Sequence, residues 1–296
     1  MDFKNFKKNQ KSIKDSIAKL VKPANNFYAD ERFWQMTKDT VGNGASTIRF
    51  LPQKDPSKSP IQLTFRHGFQ ENGRWFIEEC PFTIGEKCPV CEYSSSIWNT
   101  NEDKARMYWR NKSYIANILV VKDPGNPDND GKVFLFKFGK KIYDMIMNRI
   151  SPEIEEGEED ESINVFDFDE GIDFKMKMCQ VSGFNNYDKS SFAFKTSAVG
   201  GGEEKSQEAI YNNIFGLDEF VDPKNYKTYD QLLKKLTGSQ SSSAMPNMQE
   251  EIKTEDKQEA IPKEVNDKFD AEAEAKDVET DESGDIDFDA LLADED

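Results

Sequence analysis

The feature that most constrains this chain is a set of four residues whose side chains can bind one metal ion. The set is a histidine and three cysteines with the spacing His67-x12-Cys80-x7-Cys88-x2-Cys91. A Cys-x-x-Cys pair supplies two sulfur ligands from one tight turn, and zinc favours four nitrogen or sulfur ligands in a tetrahedron. The stretch between His67 and Cys80 contains Asn72-Gly73, a strong hairpin signal, and a hairpin would bring its two ends together. The sequence therefore predicts one structural zinc site.

This ligand set argues against an enzyme. Three sulfurs and one nitrogen fill the coordination shell of zinc, so no position is left for a catalytic water. His67 is the only histidine, and the glycine-rich stretches at 42–44 and 200–202 lack the Lys-Ser/Thr of a phosphate-binding loop. Two alternatives stay open from the residues alone. The thiols of Cys88 and Cys91 could be incidental, or the chain could be a zinc-ribbon interaction protein acting in transcription.

Charge is segregated along the 296 residues, whose formal net charge is −17. Residues 1–22 carry a net charge of +5, residues 239–296 a net charge of −15, and residues 153–173 hold 11 acidic and no basic residues. The remainder is net +4. The acidic total therefore describes a tail and an internal segment, and it does not exclude a nucleic-acid partner for the rest of the chain.

Three regions follow from these patterns. Residues 1–22 predict a basic amphipathic arm, residues 23–238 a folded core with a zinc subdomain at about 63–112, and residues 239–296 a disordered acidic tail. Within the core, alternating and aromatic-rich runs predict strands at 46–51, 113–121, 132–138 and 174–181. Helices are predicted at 139–149 and within 207–236, and Cys179 is expected in the core.

No apolar run is long enough to span a bilayer, and the N-terminus lacks the apolar stretch of a secretory signal. We therefore expect a protein of the cytoplasm that is not secreted and has no membrane partner. Three cysteines clustered within twelve residues agree with metal binding in a reducing compartment.

Several motifs occur in an order that resembles the T4-type bacteriophage single-stranded DNA-binding (helix-destabilising) protein family. They are Thr47-Ile-Arg-Phe-Leu-Pro52, His67-Gly-Phe69, Cys88-Pro-Val-Cys91, Ala116-Asn-Ile-Leu-Val-Val-Lys-Asp-Pro124, Phe138-Gly-Lys-Lys-Ile142 and Val181-Ser-Gly-Phe184. The resemblance implies an α+β, mainly β fold, in which a five-stranded OB-fold barrel carries an inserted zinc subdomain and additional helices. It also implies sequence-independent, cooperative binding of single-stranded DNA in phage replication, recombination and repair.

Binding a strand without reading its sequence requires cations for phosphates and flat faces for bases. Residues of both kinds match positions of the family's DNA cleft or lie near such positions in the sequence. The predicted DNA-contacting residues are Arg49, Trp98, Tyr108, Arg110, Lys112, Tyr114, Phe136, Lys137, Lys140, Lys141, Phe184 and Tyr187. For Phe136, a place in the core is an equal alternative, because aromatic residues of strands are usually buried.

The resemblance also assigns roles to the two ends. In the family, the basic arm binds a neighbouring copy head-to-tail along DNA, which here points to Lys7, Lys8, Lys11 and Ser12. The acidic tail recruits replication and recombination proteins, namely a polymerase, a helicase loader and a recombination mediator. From its 20 carboxylates alone, we also expect that the tail can occupy a positive cleft, as a phosphate mimic, until a DNA strand displaces it. Simpler alternatives are a disordered basic arm and a solubilising tail. The expected setting is the cytoplasm of an infected bacterium.

Overall fold

Antiparallel strand pairing organises the chain. The computed structural model describes residues 30–152, 162–181 and 184–239. Its strands are β1 Gly44–Leu51, β2 Ile61–Glu71, β3 Arg74–Glu79, β4 Asn111–Lys122, β5 Val133–Phe138, β6 Phe174–Val181, β7 Phe184–Asn186 and β8 Ser191–Phe192. The strand order is β3-β2-β4-β1-β6-β7, with β5 paired to β4 and β8 paired to β6.

Five α-helices accompany the sheet within the described residues. They are α1 Pro89–Ile97, α2 Glu102–Tyr108, α3 Lys140–Ile150, α4 Glu204–Asn212 and α5 Tyr229–Ser239. Proline at the first position suits α1, because that residue's N–H has no partner inside a helix. Asn101 caps α2 by accepting a hydrogen bond from the Lys104 N–H. Among the described residues, no helix combines the length and the hydropathy needed to cross a membrane.

Strand β4 is the common element of two parts of the sheet. Its first half, 111–116, pairs with β2, and its second half, 117–122, pairs with β1. Strand β5 pairs with residues 114–119 and therefore lies along the opposite edge of β4. Strands β1 and β2 therefore lie one after the other along the same edge of β4. Because β4 is one continuous strand, the position of its first half determines the direction of its second half.

The buried side chains form three clusters. The sheet cluster comprises Trp34, Ile48, Phe50, Tyr114, Ala116, Ile118, Val120, Phe136, Phe138, Ile142, Ile146, Val165, Phe166, Ile172, Phe174 and Met176. The metal-side cluster comprises Phe65, Phe69, Phe76, Cys80, Cys88, Val90, Cys91, Tyr93, Tyr108, Leu232 and Leu236. The third cluster comprises Leu51, Leu119, Val199, Ile210 and Ile214 on the opposite face of β1 and β4. Alternation along the strands explains this division, since Ile118 and Leu119 face opposite sides.

The strand predictions are confirmed, with ends that move by one or two residues. The predicted helix at 139–149 corresponds to α3. The region 207–236 is divided differently: α4 ends at Asn212, two short 3-10 turns follow, and α5 begins at Tyr229. Pro223 stands between the two helices, where its ring prevents a continuous helix. The predicted arm at 1–22 and residues 240–296 of the predicted tail lie outside the described residues.

Candidate metal centre and nucleic-acid interface

The four predicted metal ligands converge in the interior. Their ligand atoms all lie within 4.8 Å of one another, and all four residues are buried. The Nε2 atom of His67 is 3.3 Å from Cys88 Sγ and 3.6 Å from Cys91 Sγ, and Cys80 Sγ is 3.6 Å from Cys91 Sγ. A tetrahedron with zinc–ligand bonds of about 2.0–2.3 Å has edges of about 3.3–3.8 Å. The donor set and its spacing therefore fit one metal ion, as the sequence predicted.

Local structure explains the convergence. The β2–β3 hairpin turns at Asn72 and Gly73, both of which have positive φ angles (52° and 74°), as a type I′ turn requires. This pairing places Cys80 beside β2, where its N–H donates to the Phe65 carbonyl at 2.9 Å. Cys88 immediately precedes α1 and Cys91 lies in its first turn, where the helix dipole favours a thiolate.

Contacts around His67 leave one ring nitrogen directed at the sulfurs. Its Nδ1 atom is 2.9 Å from the Tyr108 carbonyl, which accepts a hydrogen bond when Nδ1 carries the proton. Nε2 is then the ligating atom, in the arrangement common for metal-bound histidine. Burial opposes a charge on His67, yet its contacts with Cys88 and Cys91 raise the pKa of the imidazole to about 10. Hydrogen bonds from Cys80 and Cys88 hold the pKa of Cys91 well below its usual range, so thiolate character is already favoured there.

Arg110 lies against this centre and not on the surface. Its Nη1 atom donates to Cys91 Sγ at 3.7 Å, and the side chain is 4% exposed. The guanidinium also lies over aromatic rings, with its carbon 4.1 Å from the centroid of Phe82 and 4.3 Å from that of Trp109. The sequence predicted a DNA contact for Arg110. In the structure, the Arg110 guanidinium instead contacts a cysteine sulfur and the faces of two aromatic rings.

Further predicted DNA-contacting residues lie in the interior. Arg49 is 1% exposed, forms an ion pair with Asp173 at 2.7 Å and donates to the Ser197 carbonyl and hydroxyl. Tyr108 is fully buried against Phe69, with ring centroids 4.4 Å apart. Phe136 is buried in the sheet cluster, so the alternative of a core position describes it. Burial removes these side chains from the surface that a strand can reach in this conformation.

Other predicted residues are brought together around α3. Tyr114, buried in the sheet cluster, stacks on the half-buried Tyr143 of α3, with ring centroids 4.1 Å apart and planes 8° apart. Lys141 of the same helix forms an ion pair with Asp188, the neighbour of the half-buried Tyr187. Lys112 projects from the same face of β4 as Tyr114, two residues away. These residues form a patch in which aromatic and basic side chains lie near one another.

The remaining predicted positions are dispersed. Lys137 is exposed but projects from the face of β5 opposite to Phe136 and Phe138. Lys140 forms an ion pair with Asp144 at 2.7 Å. The Arg106 guanidinium lies over Trp98, 4.8 Å from the centroid of its ring. Phe184 begins β7. The self-association residues Lys7, Lys8, Lys11 and Ser12 lie outside the described residues.

Sequence reasoning missed two members of the site. Tyr143 lies two residues after Lys141 in the sequence, so it extends the basic and aromatic pattern of that segment. Helix α5 was not connected with the metal centre. Its Leu232 and Leu236 pack into the metal-side cluster, and the Tyr229 hydroxyl donates to Glu92 at 2.6 Å. No local sequence signal links α5 to residues more than a hundred positions earlier. Cys179, expected in the core, is half-buried and lies outside the metal cluster.

Known proteins resemble this chain over most of its length. The model of the family described as "gp32 DNA binding protein like" matches residues 42–238. The single-stranded DNA-binding protein of Enterobacteria phage T2 is 37% identical over 244 residues, which cover 80% of each chain. That of Enterobacteria phage T4 is 38% identical over 234 residues, 77% of each chain. A shorter match, 36% identical over 113 residues, is to the single-stranded DNA-binding protein of Enterobacteria phage RB70.

Proposed function

This chain belongs to the gp32 DNA-binding-protein-like family, and we propose that it binds single-stranded DNA without reading its base sequence and without altering the strand chemically. The observation that carries the proposal is the match to single-stranded DNA-binding proteins of phages T2 and T4 over about four-fifths of the chain. We further propose that it acts in phage replication, recombination and repair, in the cytoplasm of the infected bacterium.

The patch around α3 supports a binding mode. Phosphate contacts supply most of the affinity for a strand of any sequence, and lysines such as Lys112 and Lys141 provide such contacts. Stacking of bases on aromatic side chains adds about 1–3 kcal/mol per base and tolerates every base. The half-buried Tyr143 and Tyr187 are the aromatic groups of this patch that a base can reach, and Tyr114, which is 7% exposed, supports Tyr143 from beneath by stacking on it. In this proposal, Arg49, Tyr108, Arg110 and Phe136 support the surface from beneath.

The pairing around the sheet cluster supports the OB-fold proposal. Strand β1 pairs with both β4 and β6, and β4 also pairs with β5, all antiparallel and around one core. An OB-fold is a partly open five-stranded barrel whose outer face and loops commonly hold single strands. The metal-side hairpin would then be the inserted subdomain, beginning at about residue 63 and ending at about residue 112.

For the metal, we propose zinc held by His67, Cys80, Cys88 and Cys91. Three sulfurs and one nitrogen are ligands that zinc prefers, and the site is buried, so its role is structural. When bound, the ion ties the β2–β3 hairpin to the first turn of α1. Because β2 pairs with the first half of β4, the same tie holds Lys112 and Tyr114 in place.

For the two ends, we propose the roles that the family resemblance implies. The arm at 1–22, through Lys7, Lys8, Lys11 and Ser12, binds a neighbouring copy and makes binding cooperative. The tail at 239–296 recruits a polymerase, a helicase loader and a recombination mediator. Deletion of residues 1–22 should abolish clustering on long strands and leave binding to a short oligonucleotide nearly unchanged. Clustering that survives this deletion would refute the role of the arm.

The central test uses single strands of different sequence. Fluorescence titration with oligonucleotides of thymine, of adenine and of mixed sequence should give saturable binding, with affinities that differ by base stacking alone. The strands should be recovered intact. Strong preference for one sequence, or cleavage of the strand, would contradict the proposal.

A further inference from the structure

One exposed face of the sheet carries basic residues that belong to none of the sites above. Along β6, Phe174, Met176 and Met178 are buried, whereas Lys175 and Lys177 between them are exposed. Successive residues of a strand point to opposite faces. The two lysines therefore project from the face of β6 that is turned away from the sheet cluster.

Strand register extends this face across the sheet. Thr47 of β1 is paired with Lys175 on one side and with Lys122 of β4 on the other. Ala45 is paired with Lys177. The register shifts between Thr47 and Ile48, so a β-bulge sets both Val121 and Lys122 opposite Thr47, and both are exposed there. Lys122 therefore lies beside the Thr47–Lys175 pair. The side chains of β1 between the lysines, those of Ala45 and Thr47, are small.

The charges of this face are not cancelled. Lys122, Lys175 and Lys177 form no ion pair with any residue in the described part of the chain, although other lysines, such as Lys58, Lys104 and Lys140, do. The carboxylates next to the face in sequence are already engaged. Asp123 accepts hydrogen bonds from the Trp34 indole and from Ser46, and Asp173 pairs with Arg49.

An aromatic ring stands beside these lysines. Phe194 follows β8, which pairs with β6, and it is 98% exposed. The Lys175 ammonium lies 5.8 Å from the centroid of its ring. A phenylalanine exposed to this extent contributes nothing to the core, so its ring is available to a partner. An aromatic face next to unpaired cations is the combination that holds single-stranded nucleic acid without sequence preference.

We propose that Phe194, Lys122, Lys175 and Lys177, here called the Phe194 face, form a second contact surface for the DNA strand. Phe194 stacks on a base, and the lysines bind neighbouring phosphates. Lys175 and Lys177 are two residues apart on one strand, about 7 Å, which is similar to the separation of successive phosphates in an extended strand. This inference rests on the proposed function. It extends the path of the bound DNA strand beyond the patch around α3.

Two variants of the full chain test the proposal, Phe194→Ala and the double variant Lys175→Gln/Lys177→Gln. The side chains are exposed, so both variants should fold, which thermal unfolding can verify. In fluorescence anisotropy with a mixed-sequence single strand, Phe194→Ala should weaken binding about tenfold. The double variant should lower the slope of log K against log salt by about 1.4, since each lost phosphate contact on a single strand contributes about 0.7.

Matched control variants make the same chemical changes at other exposed positions of the chain. Tyr211 is 44% exposed, with the Lys54 ammonium 6.0 Å from its ring centroid, so Tyr211→Ala repeats the loss of an exposed ring near a lysine. Lys205→Gln/Lys234→Gln removes two exposed charges from α4 and α5. Both controls should retain the affinity and salt slope of the parent chain. A strand containing 5-iodouracil should also crosslink to the peptide that contains Phe194.

The outcomes separate this inference from the proposed function. Variants of the Phe194 face that keep the parent's affinity and salt slope would overturn the inference and leave single-strand binding intact. A parent chain that does not bind single strands would instead refute the proposed function. A third outcome is that the lysine variant binds DNA normally but no longer binds a peptide of residues 281–296. The face would then bind an acidic peptide, and the inference would again be overturned.

Discussion

At the scale of single residues, Arg110 is placed to balance the charge of a zinc ion bound by His67 and the three cysteines. Three thiolates, one neutral imidazole and a divalent ion sum to one net negative charge. An isolated charge in the protein interior is costly unless a partner compensates it. The buried Arg110 guanidinium, which donates to Cys91 Sγ, supplies that partner. With a metal bound, Arg110 would therefore stabilise the centre more directly than it would bind a phosphate.

Replacement of Arg110 by methionine should weaken metal binding about tenfold or more, as is usual when a group that contacts a metal ligand is lost. Competition with a chromophoric zinc chelator measures this affinity. Arg106→Met is a matched control, because Arg106 lies nearby on α2 but pairs at the surface with Glu102. Equal metal affinities of the two variants would show that Arg110 does not stabilise the centre.

Arg49 allows a second prediction at this scale. Because its side chain is buried and paired with Asp173, Arg49→Met leaves a carboxylate without its partner and should lower the free energy of unfolding by about 3 kcal/mol. Arg49→Lys should recover part of the loss, since an ammonium can still pair with Asp173. Urea denaturation measures both. A stable Arg49→Met variant with weakened DNA binding would support the surface role predicted from the sequence.

The contrast between these residues shows what the sequence can predict. Metal coordination imposes a spacing on its ligands, so the sequence alone identifies His67 and the three cysteines. Burial of an arginine leaves no such local mark. Arg49 is paired with Asp173, 124 positions later in the chain, and only the β1–β6 pairing shows that the two meet.

At the scale of elements, the β2–β3 hairpin brings His67 and Cys80 close together: His67 pairs with Glu78, and Cys80, just after β3, donates its N–H to the Phe65 carbonyl. Its turn was predictable because Asn-Gly is favoured where two successive residues need positive φ. The helices α1 and α2 were not predicted, because these segments are too short to show a long apolar periodicity. Contacts with the metal ligands and the metal-side cluster hold them in place instead.

Substitution of Gly73 by alanine tests the coupling between this hairpin and the metal. The φ angle of 74° is unfavourable for a side chain, so Gly73→Ala should cost about 1 kcal/mol of stability. It should also weaken metal binding, because the hairpin presents two ligands. Gly131 has a φ angle of 77° and, like Gly73, no atom within 4 Å of an added Cβ.

Gly131→Ala is therefore the matched control, with a similar loss of stability and an unchanged metal affinity. Unfolding by urea and competition with a chelator measure the two quantities in parallel. If both glycine variants affect the metal equally, the hairpin has no special role in presenting its ligands.

At the scale of the whole molecule, a basic arm and a strongly acidic tail flank a core that is net +4 only outside its acidic segment at 153–173. The tail and a DNA strand are both polyanions, so they can compete for the same basic surfaces. Truncation after residue 238 should therefore raise the affinity for single strands most at low salt, where screening is weakest. Fluorescence titration of the full and truncated chains at two salt concentrations measures this difference. Identical affinities at low salt would exclude competition by the tail.

The measurement that tests the account most directly is a comparison of one sequence as a single strand and as a duplex. Equilibrium titration of the full chain at low and at physiological salt should show saturable binding to the single strand and much weaker binding to the duplex at both. The affinity for the single strand should fall steeply with salt, as expected for phosphate contacts. Equal affinity for the two forms, or no binding to the single strand at low salt, would contradict the proposed function.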